Sequence, residues 1–153
     1  MISNTLLKEK KQIDDLFTEV KSFSGDPIIE SLLTQYLCIK VSGFLENCVR
    51  IIFVEYTGSN CQGHIQNFIL KKLERFPNPI YAEIVKITRE FSDTWSNGFK
   101  NKITQKQQTS LNSINVNRNA IAHGGRSNIT LRELSDYYDD VVKIVEELED
   151  CCK

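Results

Sequence analysis

Residues 28 to 56 read IIESLLTQYLCIKVSGFLENCVRIIFVEY, and this stretch decides the fold. Its apolar side chains recur at helical spacing over a wide face, which predicts one long helix that is buried from more than one side. Five charged residues interrupt the stretch, so it is not a simple membrane span. At 1.5 Å per residue the helix would be about 45 Å long. A monomer of this size does not need such length, and we expect the helix to lie in a core or a dimer interface.

Helical spacing continues through most of the chain, and no segment shows the alternation of a strand. Glycine (7 residues) and proline (3 residues) are scarce, which favours long helices. Residues 95–106 are predicted to be less regular, with a break at Asn97-Gly98. The predicted helices cover residues 4–23, 27–57, 61–75, 79–91, 104–123 and 131–148. The sequence therefore predicts an all-α fold, an antiparallel helical bundle in a single domain of residues 1–153.

Capping residues mark the helix ends. Ser24-Gly25 should stop the first helix, and Asp26-Pro27 supplies an N-cap followed by proline at the first helical position. Asn78-Pro79 repeats that pattern for the fourth helix. Gly124-Gly125 should end the fifth, and Thr130 to Glu133 forms a capping box for the last. These signals divide the chain into hairpins of antiparallel helices.

Charge and cysteine content restrict the function and the location. A net charge of −1 excludes a bulk electrostatic nucleic-acid binder, so any RNA contact must be local. The five cysteines contain no Cys-x-x-Cys pair, and Met1 leads directly into a charged amphipathic stretch without a signal peptide. We expect a reduced cytoplasmic protein with no membrane association. Cys38 and Cys48 should be buried thiols, and Cys151-Cys152 should lie in a frayed tail.

A metal site has little support in the sequence. Cys61 and His64 have a spacing that occurs in zinc sites, but they are only two ligands, and a structural zinc ion needs four. No second cluster lies at a suitable spacing. We expect neither a metal nor a cofactor, and His64 is better interpreted as a surface residue early in a helix.

The most informative polar segment is Arg118-Asn119-Ala120-Ile121-Ala122-His123, followed by Gly124-Gly125. Arginine presents a planar set of donors that fits phosphate, and histidine can exchange a proton near neutral pH. Arg118 also continues the apolar row of Leu111 and Ile114, where a charge is costly unless it is paired. Two interpretations stay open: a buried ion pair with Glu46, Glu55 or an acid of the last helix, or a groove that is completed by a phosphate.

The two ends of this segment face different sides of the helix. Asn119 and His123 are four residues apart and share a face, so the amide could orient the imidazole. Arg118 and His123 are five residues apart, which places them about 140° apart around an ideal helix. His123 lies in the last turn, where the helix dipole favours the protonated imidazole. A capping role for His123 is the simpler alternative.

Local charge favours contact with a polyanion. No acidic residue occurs between Asp93 and Glu133, whereas the last helix is strongly acidic. This segregation gives a near-neutral protein a basic strip, although a solvated face would have the same composition. The RNA-binding candidates beside Arg118 are Lys100, Lys102, Lys106, Arg126 and Arg132.

The 118–124 segment resembles the Arg-(Asn/polar)-x-x-x-His signature of the HEPN superfamily of all-helical proteins. Its place just before a final amphipathic helix is similar, and residues 41–46, Val-Ser-Gly-Phe-Leu-Glu, resemble the second helix of the ribonuclease-type branch. The resemblance covers roughly residues 28–148. It implies a helical bundle that forms a homodimer, with two Arg…His motifs facing one another across a composite cleft.

The resemblance also implies an activity. Many members are metal-independent endoribonucleases that act as toxins in toxin–antitoxin pairs or as phage-defence effectors. Carried over to this chain, Arg118 and His123 become the catalytic pair, Asn119 the polar residue of the motif, and Glu46 a weaker candidate for a site carboxylate. The partners would be RNA, a second copy of the chain, and an antitoxin or regulatory protein. The alternative is an inactive dimeric module that binds a protein partner or a nucleotide.

Overall fold

A computed structural model of the protein describes residues 2–23, 25–76 and 79–153, and these residues form helices without strands. The predicted all-α bundle is confirmed. In chain order the helices are α1 (Asn4–Ser22), α2 (Pro27–Asn60), α3 (Gly63–Glu74), α4 (Tyr81–Phe91), α5 (Asp93–Lys102), α6 (Gln105–Ala122) and α7 (Leu131–Cys151).

Helix α2 is the centre of the fold. It begins as predicted, because the Asp26 carboxylate accepts hydrogen bonds from the backbone N–H groups of Ile28 and Ile29 at 2.9 and 3.2 Å. It then runs for 34 residues to Asn60, three residues beyond its predicted end. Side chains in its last turn bond back to the helix, as when the Asn60 amide donates to the Tyr56 carbonyl at 2.8 Å. This local bonding carries the helix through Gly58.

Helices α1 and α6 both run antiparallel to α2. The Asn47 amide on α2 donates to Glu9 on α1 at 2.9 Å, which fixes the first hairpin. On another side of α2, the Cys38 thiol lies 3.8 Å from the Ile114 carbonyl of α6. The antiparallel order of α1, α2 and α6 agrees with the predicted bundle.

Helix α7 runs parallel to α2 and completes the four-helix bundle. The Tyr138 hydroxyl donates to Asp14 on α1 at 2.9 Å, and the Ser110 hydroxyl on α6 donates to the buried Asp140 carboxylate at 2.7 Å. Helices α1 and α6 therefore both run antiparallel to α7, and α7 packs directly against α2 and α6. The two capping residues of α7, Thr130 and Glu133, form the predicted capping box.

The three short helices lie around the carboxyl half of α2, and α5 also packs against α7. Phe91, at the end of α4, stacks on Phe53 of α2 with ring centroids 4.4 Å apart. Tyr56 of α2 meets Trp95 of α5 edge to face at 4.6 Å. None of the helices in the described ranges is long and apolar enough to cross a membrane.

Some predicted boundaries are wrong. The predicted break at Asn97-Gly98 does not occur, because α5 runs through it and buries Ser96 and Phe99; packing outweighs the low helix propensity of this dipeptide. Helix α4 begins at Tyr81, two residues after Pro79, and Ile80 is its N-cap. Two predicted boundary residues, Ser24 and Asn78, lie outside the described residues.

The cysteines divide between the core and the partly exposed surface. Cys38 and Cys48 are buried, as predicted. The predicted fraying of the tail is wrong, because α7 continues to Cys151 and Cys152 is only 4% exposed within the core. Burial raises the pKa of the Cys38 thiol to about 11 and that of Cys152 to about 12, which keeps both thiols protonated at neutral pH.

Gly98 gives a direct test of the continuous α5. Its backbone φ is not positive, and a Cβ added there would make an ordinary contact, 3.6 Å from the Cys151 sulfur. Gly98→Ala should therefore raise the free energy of unfolding by about 0.5–1 kcal/mol, by removing the cost of glycine in a helix. Gly124 has φ +77°, so Gly124→Ala should lower it by about 1–2 kcal/mol. Urea denaturation measures the free energy of unfolding of both variants. An equal loss of stability in Gly98→Ala and Gly124→Ala would contradict a continuous helix at Gly98.

Candidate active site

The carboxyl end of α6 is formed by backbone geometry that only glycine supports. His123 is the C-cap, and Gly124 takes φ +77°. The Gly125 N–H donates to the Ala120 carbonyl at 2.8 Å, and a Cβ on Gly125 would lie 2.9 Å from that oxygen. The predicted helix end at Gly124-Gly125 is confirmed. It leaves the last turn of α6 and its polar side chains at the end of the bundle.

Arg118 is half-buried, and its guanidinium donates to the side-chain oxygen of Asn119 at 3.1 Å. No ion pair within 4.0 Å involves Arg118 in the part of the chain that the structure describes. The first of the two interpretations, an ion pair with Glu46, Glu55 or an acid of the last helix, is therefore not found among the described residues. The charge of Arg118 lies at the edge of the core with an amide as its recorded partner.

His123 is exposed at the end of α6. Among the described residues no hydrogen bond joins His123 to Arg118, as their separation of about 140° around the helix predicts. One copy of the chain therefore does not bring the guanidinium and the imidazole together. Both side chains lie at the same end of the bundle, and His123 shares its helix face with Asn119.

Glu46 lies away from this motif. It forms an ion pair with Arg50 at 3.3 Å on the surface of α2. Cys38 of α2 lies beside Ile114 of α6, and the two helices run in opposite directions. Glu46 is eight residues beyond Cys38, and His123 is nine residues beyond Ile114. At 1.5 Å per residue, Glu46 and His123 therefore lie about 25 Å apart along the bundle. Within one chain the structure does not bring Glu46 to the motif.

The predicted basic strip divides into two parts. Near the start of α6, Lys102 pairs with Glu147 at 2.8 Å and Lys106 lies 3.6 Å from Asp140, so the acidic α7 offsets their charge. Lys100 is exposed on α5 in the same half of the bundle. The second part consists of Arg126 and Arg132, which are exposed just after His123. Only this second part lies beside the motif.

The loop after His123 is tied to α6 by a buried hydroxyl. The Ser127 hydroxyl donates to the Asn117 side-chain oxygen at 2.5 Å and accepts the N–H of Ile129 at 3.2 Å. Sequence reasoning did not identify this anchor. It holds the segment that carries Arg126 against the last turns of α6.

Sequence reasoning also missed how α4 is fixed to α6. The Tyr81 N–H donates to the Asn112 side chain at 3.1 Å, and the Asn115 amide donates to the Pro79 carbonyl at 2.9 Å. Asn112, Asn115 and Asn119 follow helical spacing, and asparagines at such spacing are the signal that could have indicated a polar face on α6. This face leads from α4 to the motif.

No group of three or more histidine, cysteine, aspartate or glutamate side chains in the described ranges could hold a metal ion. Cys61 is half-buried just before α3, and His64 is exposed in its first turn. The motif itself provides one guanidinium, one amide and one imidazole. These groups can bind an anion and transfer a proton.

A family model described as RiboL-PSP-HEPN matches residues 4–153, nearly the whole chain. No curated protein matches the chain. No solved structure matches it either. The matched range spans all seven helices of the described residues.

Ser127 tests whether the loop depends on its buried anchor. Ser127→Ala removes the donor to Asn117 and should lower the free energy of unfolding by about 1–2 kcal/mol, because a half-buried amide loses its partner. Hydrogen exchange of the Ile129 amide should become faster, since that amide loses its acceptor. Ser22→Ala is the matched control: it removes an exposed hydroxyl of α1 that donates to the Glu19 carbonyl at 2.6 Å, so it should change the free energy of unfolding by less than about 0.5 kcal/mol and leave exchange at Ile129 unchanged. Unchanged exchange at Ile129 in Ser127→Ala would contradict the anchor.

Proposed function

The chain belongs to the RiboL-PSP-HEPN family, and on that premise we propose that it is a metal-independent endoribonuclease that acts as a homodimer. The observation that carries the proposal is the placement of Arg118, Asn119 and His123 at one end of the bundle, with His123 exposed. In a purely structural ion pair, the guanidinium would be buried against a carboxylate. Here Arg118 has an amide for a neighbour and remains available to a phosphate.

The chemistry needs only groups that RNA and this chain supply. The 2′-oxygen of RNA attacks the adjacent phosphorus and forms a new P–O bond, and the bond to the 5′-oxygen breaks. One His123 removes the proton from the 2′-hydroxyl, and a second imidazole gives a proton to the leaving 5′-oxygen. Arg118, held by Asn119, stabilises the charge on the phosphate oxygens. The products are a 2′,3′-cyclic phosphate and a 5′-hydroxyl, and DNA resists because it lacks the 2′-hydroxyl.

The need for two imidazoles supports a dimer, since each chain carries only one histidine at the motif. The amino half of α2 offers a surface for it. An exposed apolar stripe follows the 4, 4, 3 spacing of one helix face, and such patches mark interaction sites. Its members and their exposed fractions are Ile28 (73%), Leu32 (62%), Tyr36 (47%) and Ile39 (39%).

This α2 stripe and the motif lie at the same end of the bundle. Thr34 of α2 and Ser127 of the loop line one surface pocket, which places the amino half of α2 beside the carboxyl end of α6. Two copies joined through a two-fold axis at the α2 stripe would bury these side chains and bring their motifs towards one another. The proposed composite site needs this arrangement.

The biological role that we propose is a toxin or phage-defence effector whose activity an antitoxin or regulatory protein restrains. An exposed motif that needs no cofactor would act on cellular RNA whenever it is free, and such an activity requires control. All five cysteines are free thiols, which supports a reducing, cytoplasmic location.

Cleavage of a mixed RNA pool in the presence of a chelator tests the nuclease. The wild type should give 2′,3′-cyclic phosphate ends, and His123→Ala should lose at least about 100-fold in rate, the usual contribution of general acid–base catalysis. His64→Ala is the matched control, because it removes the other histidine, which is exposed on α3, and it should cleave like the wild type.

Two outcomes would count against the nuclease. Equal cleavage by the wild type and His123→Ala would identify a contaminating enzyme. No cleavage by either, from a folded dimer, would favour an inactive module that binds a partner protein or a nucleotide.

Leu32→Glu tests the dimer surface. Leu32 is 62% exposed, so the change should leave the fold intact while placing a charge in the apolar stripe. Sedimentation should show a dimer for the wild type and a monomer for the variant, and RNA cleavage should fall with the dimer. Leu7→Glu alters another exposed leucine, on α1, and should remain dimeric. A dimeric Leu32→Glu would place the interface elsewhere.

A further inference from the structure

A groove of about 490 Å³ separates α3 from α4, away from the α2 stripe. Helix α3 forms one wall with residues at the 3, 4 spacing of a single helix face, including Phe68, Lys71 and Arg75. Helix α4 forms the other wall with Lys86 and Ile87.

Positive charge predominates in this α3–α4 groove. Its lining contains four cations and two carboxylates, in a chain whose net charge is −1. Lys72 is bonded to Glu90 across the groove at 2.6 Å, which ties the two helices together. Lys71, Arg75 and Lys86 form no ion pair with any described residue. An anionic ligand therefore meets three cations and the second carboxylate of the lining, which also forms no ion pair with a described residue, so the positive charge still predominates.

An aromatic ring stands beside these cations. Phe68 is 69% exposed, although it is one of the largest apolar side chains, and Ile65 one turn before it is 55% exposed. An exposed ring next to lysine and arginine side chains is the combination with which proteins bind single-stranded nucleic acid: bases stack on the ring, and phosphates contact the cations. An acidic peptide would use the cations but would leave the face of the ring uncovered.

One end of the groove lies beside α6, which carries the motif. The amino end of α4 is bonded to Asn112 and Asn115 of α6, as described above. From Asn115 to His123 is eight residues, or about 12 Å along the helix. Asn115 itself is only 1% exposed, so a single strand that leaves the groove would cross the surface beside this contact and reach the motif after a few nucleotides.

We infer that the groove between α3 and α4 binds a single-stranded segment of RNA that flanks the cleavage site, with a base stacked on Phe68 and phosphates at Lys71, Arg75 and Lys86. The inference rests on the proposed nuclease function and extends it, because it assigns the substrate a path across the surface. It also gives a role to α3, which contributes only Leu73 to the buried core.

The test measures binding of a fluorescein-labelled, fully 2′-O-methylated RNA 12-mer, which cannot be cleaved, by fluorescence anisotropy. Phe68→Ala should raise the Kd about fivefold or more, as expected when one stacked base loses its ring. The double variant K71Q/R75Q should reduce the slope of log K against log salt by about 1.4, because two phosphate contacts are lost from a single strand.

Matched controls come from exposed positions of α1. Leu7→Ala removes an exposed apolar side chain, and K8Q/K21Q removes two exposed positive charges that form no ion pair with any described residue. Both control variants should bind the probe with a Kd within about twofold of the wild-type value. With cleavable RNA, Phe68→Ala should raise KM and leave kcat unchanged, because the ring binds RNA remote from the reacting atoms.

Three results would overturn the inference. The first is that Phe68→Ala and K71Q/R75Q bind the probe as tightly as the α1 controls do. The second is conversion of the dimer to a monomer by Phe68→Ala, which would make the groove an interface between copies. The third is displacement of the probe by polyglutamate of equal charge with no effect of Phe68→Ala, which would leave a simple cation patch.

The probe separates this inference from the nuclease proposal. If no RNA is cleaved but the groove variants still lose affinity for the methylated probe, the nuclease proposal fails and the groove assignment stands. If His123-dependent cleavage is present and the groove variants bind and cleave like the wild type, the nuclease proposal stands and the groove assignment fails.

Discussion

The fold depends on the burial of α2. A helix of 34 residues with apolar side chains on most sides cannot be covered by one neighbour, so α1, α6, α7 and the short helices surround it. Each neighbour covers one side of α2, and the stripe from Ile28 to Ile39 is left exposed by the helices of the described ranges. The position of α6, and with it the motif, follows from the sector of α2 on which α6 packs.

The sequence predicted the parts of the fold that local chemistry determines. Asp26-Pro27, the Thr130 to Glu133 capping box and Gly124-Gly125 each determine a helix end through hydrogen bonds within a few residues, and these ends are where they were predicted. The errors occur where distant packing decides. Gly98 stays helical because α5 buries Phe99, and Cys152 is ordered because α7 reaches the core. Those contacts join residues that are far apart in the chain, so the spacing of residues in a single sequence does not reveal them.

The candidate site was predicted only in part, for the same reason. Spacing selected Arg118, Asn119 and His123 as candidates, and the structure places them at the carboxyl end of α6, with no hydrogen bond between Arg118 and His123 among the described residues. It could not show that α7 offsets Lys102 and Lys106, because those ion pairs join segments that are far apart in the sequence. Charge segregation along a chain is therefore a weak guide to charge on a surface.

The parallel packing of α2 on α7 has a kinetic consequence. The α1–α2 and α6–α7 hairpins join helices that follow one another closely in the chain, so each hairpin can form early. Contacts between α2 and α7 instead close a loop that contains most of the protein. The chain loses conformational entropy when this loop closes, before the apolar contacts of the core can stabilise the fold. We expect docking of the two hairpins, rather than helix formation, to limit the rate at which this protein folds.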